Sequence, residues 1–112
     1  MVTRMEHQFL SNLYRAQVLD KVVPIKMDVI EAANLFDRKS VDLVLLDFTV
    51  SDYDKMREAI RAWYPKIKLD GFIGGDDWKN PLIARAIKDS GLPVYYAEDQ
   101  FWLAKRNCRA IR

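Results

Sequence analysis

Three carboxylates stand at the ends of apolar runs, the places where an α/β sheet does its chemistry. Asp47 closes Val41-Asp-Leu-Val-Leu-Leu-Asp47, and Asp76 and Asp77 close Leu69-Asp-Gly-Phe-Ile-Gly-Gly-Asp-Asp77. A buried parallel strand reads as a continuous apolar run, and open α/β sheets bind ligands just outside the carboxyl ends of their strands. Asp47 and the Asp76/Asp77 pair are therefore expected side by side at one rim. Hard cations such as Mg²⁺ take oxygen ligands, so one expectation is a metal held by Asp47, Asp76 and Asp77. The plainer reading has Asp47 and Asp76 capping loops or helix starts, with the two adjacent acids pointing apart. Trp78 follows them in the same loop and is expected to fold back on its helix rather than face a ligand. His7 is the only histidine. It has no serine or cysteine constellation around it and is not read as a general base.

The elements that position these acids follow from periodicity. Met5, Phe9, Leu13 and Ala16 recur at helical spacing over Thr3 to Val18. Val22 to Lys26 is short and β-branched, and Pro24 demotes it toward a sheet edge. Asp28 opens Asp-x-x-Glu with Glu31 at the third position, a capping-box-like start for a helix reaching about Asp37. Val41 to Leu46 is the clearest strand. Ser51 is expected to cap a helix carrying Tyr53, Met56, Ile60 and Trp63, which Pro65 stops. Ile67 to Gly74 is the next strand, and Asn80-Pro81 starts a helix that ends at Ser90-Gly91. Pro93 to Ala97 and Phe101 to Lys105 then form a hairpin. The order α-β-α-β-α-β-α-β-β predicts one α/β domain over residues 1–112. Its sheet would have about five strands, mostly parallel with an antiparallel end, and helices on both faces.

Composition sets outer bounds. A chain of 112 residues with 50% hydrophobic and 30% charged residues supports one soluble core. Its apolar runs are too short to span a membrane, and the N-terminus lacks a signal-peptide core. The lone Cys108 fits a reducing cytoplasm. A net charge of +2 argues against a nucleic-acid partner. The basic stretch Lys105, Arg106, Arg109, Arg112 reads first as a solvated tail and second as a site for an anionic partner.

Five segments, in order, resemble the class I S-adenosylmethionine-dependent methyltransferase family. They are Phe9-Leu-Ser-Asn-Leu13, Asp28-Val-Ile-Glu-Ala-Ala33, Val41 to Asp47 (similar to the family's IDFVFID), Ala62-Trp-Tyr-Pro-Lys-Ile-Lys-Leu-Asp-Gly-Phe-Ile-Gly-Gly-Asp-Asp77 (similar to WLPKLKPGGIIAGDD), and Phe101-Trp-Leu-Ala-Lys-Arg106. The likeness runs over about residues 8 to 106 and implies a truncated Rossmann-like methyltransferase fold, entered at the family's third helix. It implies that Asp28 approaches the cofactor's adenine, that Asp47 binds cofactor or acts as the catalytic acid or base, and that Asp47, Asp76 and Asp77 match the metal-binding acids of the catechol-type branch. Two departures weigh against activity. The glycine-rich cofactor loop and the ribose-binding acid, which would precede Thr3, are missing. The family's I-D-x-x-H-S-Y segment is replaced by Leu46-Asp-Phe-Thr-Val-Ser-Asp-Tyr53, without its histidine.

The expectation is a methyltransferase-like chain that is not catalytic alone, holds no cofactor and acts by binding or interaction. Missing strands would leave a sheet edge and apolar surface for a second copy or a partner protein to cover, so a homo-oligomer is expected. Val22 to Lys26 would pair directly with Val41 to Leu46. Two alternatives stand beside this. One is metal-assisted O-methyl transfer, using S-adenosylmethionine and Mg²⁺, in an enzyme completed by a second chain. The other is a small nucleotide- or metal-binding module.

Overall fold

The structure, a computed structural model, describes residues 3–47 and 52–112. Four helices and four strands alternate along it: α1 (Arg4–Arg15), α2 (Val29–Ala32), β1 (Val41–Leu46), α3 (Tyr53–Trp63), β2 (Ile67–Gly75), α4 (Pro81–Asp89), β3 (Val94–Glu98) and β4 (Phe101–Lys105). The strands form one sheet in the order β1-β2-β4-β3. β1 and β2 are parallel neighbours, as expected, with Leu46 opposite Gly75. The β2–β4 and β3–β4 pairs are antiparallel, so the sheet is mixed rather than mostly parallel.

Local signals set most boundaries. The Asn80 side chain accepts from the Leu82 N–H at 3.0 Å and Pro81 takes the first turn of α4, while Gly91 leaves it at φ +75°. This is the Asn-Pro start and glycine stop of a short helix. α2 is capped by Asp28 and continues into a 3-10 turn that ends at Leu35. The Ser51 cap expected for α3 lies outside the described residues; the Asp52 carboxylate caps it, accepting from the Asp54 N–H at 2.9 Å. β2 is interrupted at Asp70, whose φ of +67° marks the irregularity that shifts the β1–β2 register between Val41 and Leu43.

One face of the sheet is a packed core. Val44, Leu46, Ile73, Trp102 and Ala104 meet Met56 and Ile60 of α3 and Ile83, Ala86 and Ile87 of α4, all buried. Burying each of the larger apolar side chains contributes about 1.5–3 kcal/mol. Gly74 and Gly75 let the strands close over this core. A Cβ on Gly74 would stand 2.5 Å from the Trp102 carbonyl oxygen, and one on Gly75 would strike the Leu46 carbonyl.

Two expectations fail here. Val22 to Lys26 is not a strand: it pairs with no part of the sheet, and Val23 is 80% exposed. Instead it runs beside α1, where the Lys26 Nζ meets Glu6 at 2.9 Å and the two segments enclose an apolar groove. Pro24 removes a ladder donor, which disfavours pairing with the sheet. The sheet therefore has four strands, and β1 forms one edge. Nor do helices cover both faces. Leu43 and Leu45, on the face opposite the core, are 50% and 55% exposed. α1, held by a Thr3/Glu6 capping box, buries none of its residues. The layers are two, helices on sheet.

Candidate functional site

The rim at the carboxyl ends of β1 and β2 forms as the sequence implies. Leu46 and Gly75 are register partners, so the residues that follow them, Asp47 and Asp76, leave adjacent strands side by side. Both are exposed. Asp77 departs from them: its φ is +66°, and its carbonyl accepts the Asn80 N–H at 2.9 Å in the turn leading to α4. Among the described residues no group of three or more His, Cys, Asp or Glu is placed to hold a metal ion. Asp47, Asp76 and Asp77 form no such group among the described residues.

Asp28 is committed elsewhere. Its carboxylate accepts from the Ile30 N–H at 3.0 Å and the Glu31 N–H at 3.3 Å, and the Lys55 Nζ lies 3.4 Å away. The Glu31 N–H above all, then those of Ile30 and the Lys55 ammonium, hold this carboxyl below its ordinary range. The ion pair links the start of α2 to the first turn of α3, and capping accounts for the residue.

Tyr53, the displaced tyrosine of the family segment, is also occupied. Its hydroxyl donates to the Asp89 carboxylate, and the guanidinium carbons of Arg57 and Arg85 stand 5.8 and 5.6 Å from its ring centroid. It therefore ties α3 to α4. Trp78 folds back as expected, partly buried against the core with the Lys88 Nζ 5.8 Å from its ring centroid. His7 lies exposed on α1.

Of the aromatics whose spacing implies core positions, Tyr95 and Tyr96 are instead 69% and 44% exposed, and one that is buried is Trp102. This residue is fully buried in β4, its indole N–H has no partner among the described residues, and a Cβ on Gly75 would come 3.3 Å from that nitrogen. With the Leu46 carbonyl closer still to that Cβ, Gly75 has no room for a side chain on either flank.

The glycines also test whether the chain alone suits S-adenosylmethionine. Cofactor loops in nucleotide-binding sheets need glycines that let the backbone approach the ligand. The chain has four. Gly71, Gly74 and Gly75 are each packed against neighbouring backbone, and Gly91 terminates α4. All four glycines are thus engaged in strand packing or helix termination.

No protein-family profile matches the chain, and no curated protein is significantly similar to it. Solved structures are similar in fold. A SAM-dependent O-methyltransferase from Thermotoga maritima superposes with a TM-score of 0.64 at 20% identity, over 89% of this chain and 45% of that one. The T. thermophilus 16S rRNA methyltransferase RsmC, in complex with AdoMet and guanosine, gives a TM-score of 0.52 at 14% identity, over 97% of this chain and 29% of that one. The chain spans less than half the length of either. These superpositions show an α/β fold similar to that of SAM-dependent methyltransferases.

Proposed function

We propose that this chain is a methyltransferase-like binding module that does not transfer methyl groups on its own and works through its open sheet face. The observation that carries the reading is the uncovered apolar strip across all four strands. Leu43, Leu45, Tyr95, Tyr96 and Phe101 are 50%, 55%, 69%, 44% and 37% exposed. Phe72 joins them, with its ring 5.9 Å from that of Tyr95. At about 200 Å² for a large apolar side chain, this strip offers roughly 500 Å², in the range of patches that mark interaction sites. A stable interface needs about 800 Å² per partner. The apolar stripe of α1, with Met5 83% and Phe9 48% exposed, supplies the remainder. A second copy of the chain fits best, because a sheet lacking a helix layer and a helix lacking a sheet are then satisfied by one association.

A second reading is an enzyme completed by another chain, which would supply the cofactor loop. It is favoured by the placement of Asp47 and Asp76 at adjacent strand ends, where the family's acids work. The similar enzymes are SAM-dependent by name. Calorimetric titration of the isolated chain with S-adenosylhomocysteine separates the two. The module reading expects no micromolar binding, and micromolar affinity that Asp47→Ala abolishes would replace it with the enzyme reading.

A further inference from the structure

The two ends of the sheet differ in charge, and the basic end is assembled from segments far apart in sequence. The turn before β1 docks on the α3–β2 junction through the Lys39 N–H to the Pro65 carbonyl and the Ser40 N–H to the Lys66 carbonyl, at 3.1 and 2.8 Å. The segment after β4 docks at the same end: the Arg106 N–H bonds the Gly71 carbonyl at 2.7 Å, and the Arg112 N–H bonds the Ser90 carbonyl at 2.8 Å. The Arg61 Nε reaches the Arg112 carbonyl at 3.5 Å. Arg38, Lys39, Arg61, Lys66, Arg106, Arg109 and Arg112 are thereby brought to one end. None of them is in an ion pair among the described residues, whereas the nearby acids Asp42 and Asp70 are engaged by Lys68 and Lys105. Asp37 is the one acid beside Arg38 in the turn, and it is exposed.

The cations flank real concavities. Two grooves, of about 320 and 270 Å³, run on either side of Ala110 and Ile111 and share Tyr64 as a wall. Arg38, Arg106 and Arg109 line the first, Arg109 and Arg112 the second. Arg106 is fixed in place, with its guanidinium carbon 4.3 Å over the Tyr64 ring and Nη1 donating to the Tyr64 carbonyl at 3.0 Å. Its Nε is buried without a partner among the described residues. A held guanidinium flanked by exposed arginines suits tetrahedral oxyanions better than lysines would.

We infer that this end of the molecule binds the phosphate backbone of a nucleic acid strand, at the face opposite the Asp47/Asp76 rim. The net charge of +2 averages over the segregation and hides it. Tyr64 is buried and offers no face for base stacking. Binding is accordingly sequence-independent and steeply salt-dependent, with phosphate contacts carrying it.

The test is fluorescence anisotropy with a labelled oligothymidylate of about 15 nucleotides, titrated between about 50 and 200 mM salt. The substitutions Arg38→Gln, Arg109→Gln and Arg112→Gln are combined in one chain; all three side chains are exposed, and circular dichroism checks that the fold persists. Loss of three phosphate contacts lowers the slope of log K against log salt by about 2. Affinity falls at least tenfold at the lower salt. A charge-matched control, Lys21→Gln, Lys26→Gln and Lys79→Gln, retains both slope and affinity. Three outcomes overturn the inference: no binding at low salt, equal losses in both variants, or competition by a polyglutamate peptide of matched charge as effective as the unlabelled oligonucleotide.

Discussion

Replacing Leu43 and Leu45 with lysine tests the open face directly. Both side chains are about half exposed in the single chain, at 50% and 55%, and project away from the core. Full burial of a leucine is worth about 1.5–3 kcal/mol, so the half still open contributes roughly 1 kcal/mol when a partner covers it. Two leucines on each of two protomers give roughly 4 kcal/mol. At 1.4 kcal/mol per decade, the double substitution weakens self-association by roughly a thousandfold, before the cost of burying the ammonium groups. The folded monomer itself barely changes, since exposed substitutions stay within about 0.5 kcal/mol. Sedimentation velocity at tens of micromolar reads the result: the parent chain runs above 13.1 kDa and the variant at 13.1 kDa. A parent that sediments only at 13.1 kDa, or a variant that keeps the assembly, refutes the reasoning. A monomeric parent whose variant also melts well below it would show that α1 covers the face within one chain.

Three further outcomes follow from the packing. Gly74→Ala drives a methyl into the Trp102 carbonyl, 2.5 Å from its Cβ. It should cost about 1–3 kcal/mol, seen as a lower urea midpoint with an unchanged slope. Asn80→Ala removes the side-chain bond to the Leu82 N–H and should cost about 1 kcal/mol, lowering the melting temperature by a few degrees. Asp28 is held below its ordinary value of 3.8 by its cap bonds, chiefly to the Glu31 N–H, and by Lys55. Its ionised form therefore stabilises the fold above that value, and the contribution is lost as pH falls through the depressed pKa. Melting of Asp28→Asn beside the parent should show a difference near neutrality that disappears in acid; a difference constant with pH would count against the assignment.

Elements whose signals are local were legible in the sequence. The Asn80-Pro81 start, the Gly91 stop and the continuous apolar run of β1 each carry their own physical cause, and all three stand where expected. Val22 to Lys26 had the right composition for a strand, but a strand needs a ladder partner. The segment lines an open groove beside α1 instead, with Val23 and Ile25 still exposed. The periodicity of α1 gave a helix with an apolar stripe without saying which layer that stripe would meet. At the rim, the apolar runs ending in Asp47 and Asp76 implied neighbouring strand ends, and the Leu46–Gly75 register puts them there; the left-handed backbone at Asp77 has no signal in the sequence. The basic end was legible only in its C-terminal stretch, Arg106, Arg109 and Arg112. Its cations come from residues near 38, 61 and 109, and only the docking of three chain segments makes them neighbours.

The strand order has a consequence for how the chain reaches this structure. β4 lies between β2 and β3, so the strand formed late in the sequence is an interior one. Until residues 101–105 exist, β2 has one parallel neighbour, and Trp102, the largest fully buried side chain, is absent from the core. Shortening the chain before Phe101 therefore removes the middle of the sheet rather than trimming its edge. Such a chain would expose both the core face and the unpaired flank of β2, with the helices α3 and α4 already made. Folding on the ribosome has to wait for β4 to emerge. In that interval a nascent chain is most open to holdase chaperones and to non-native strand pairing.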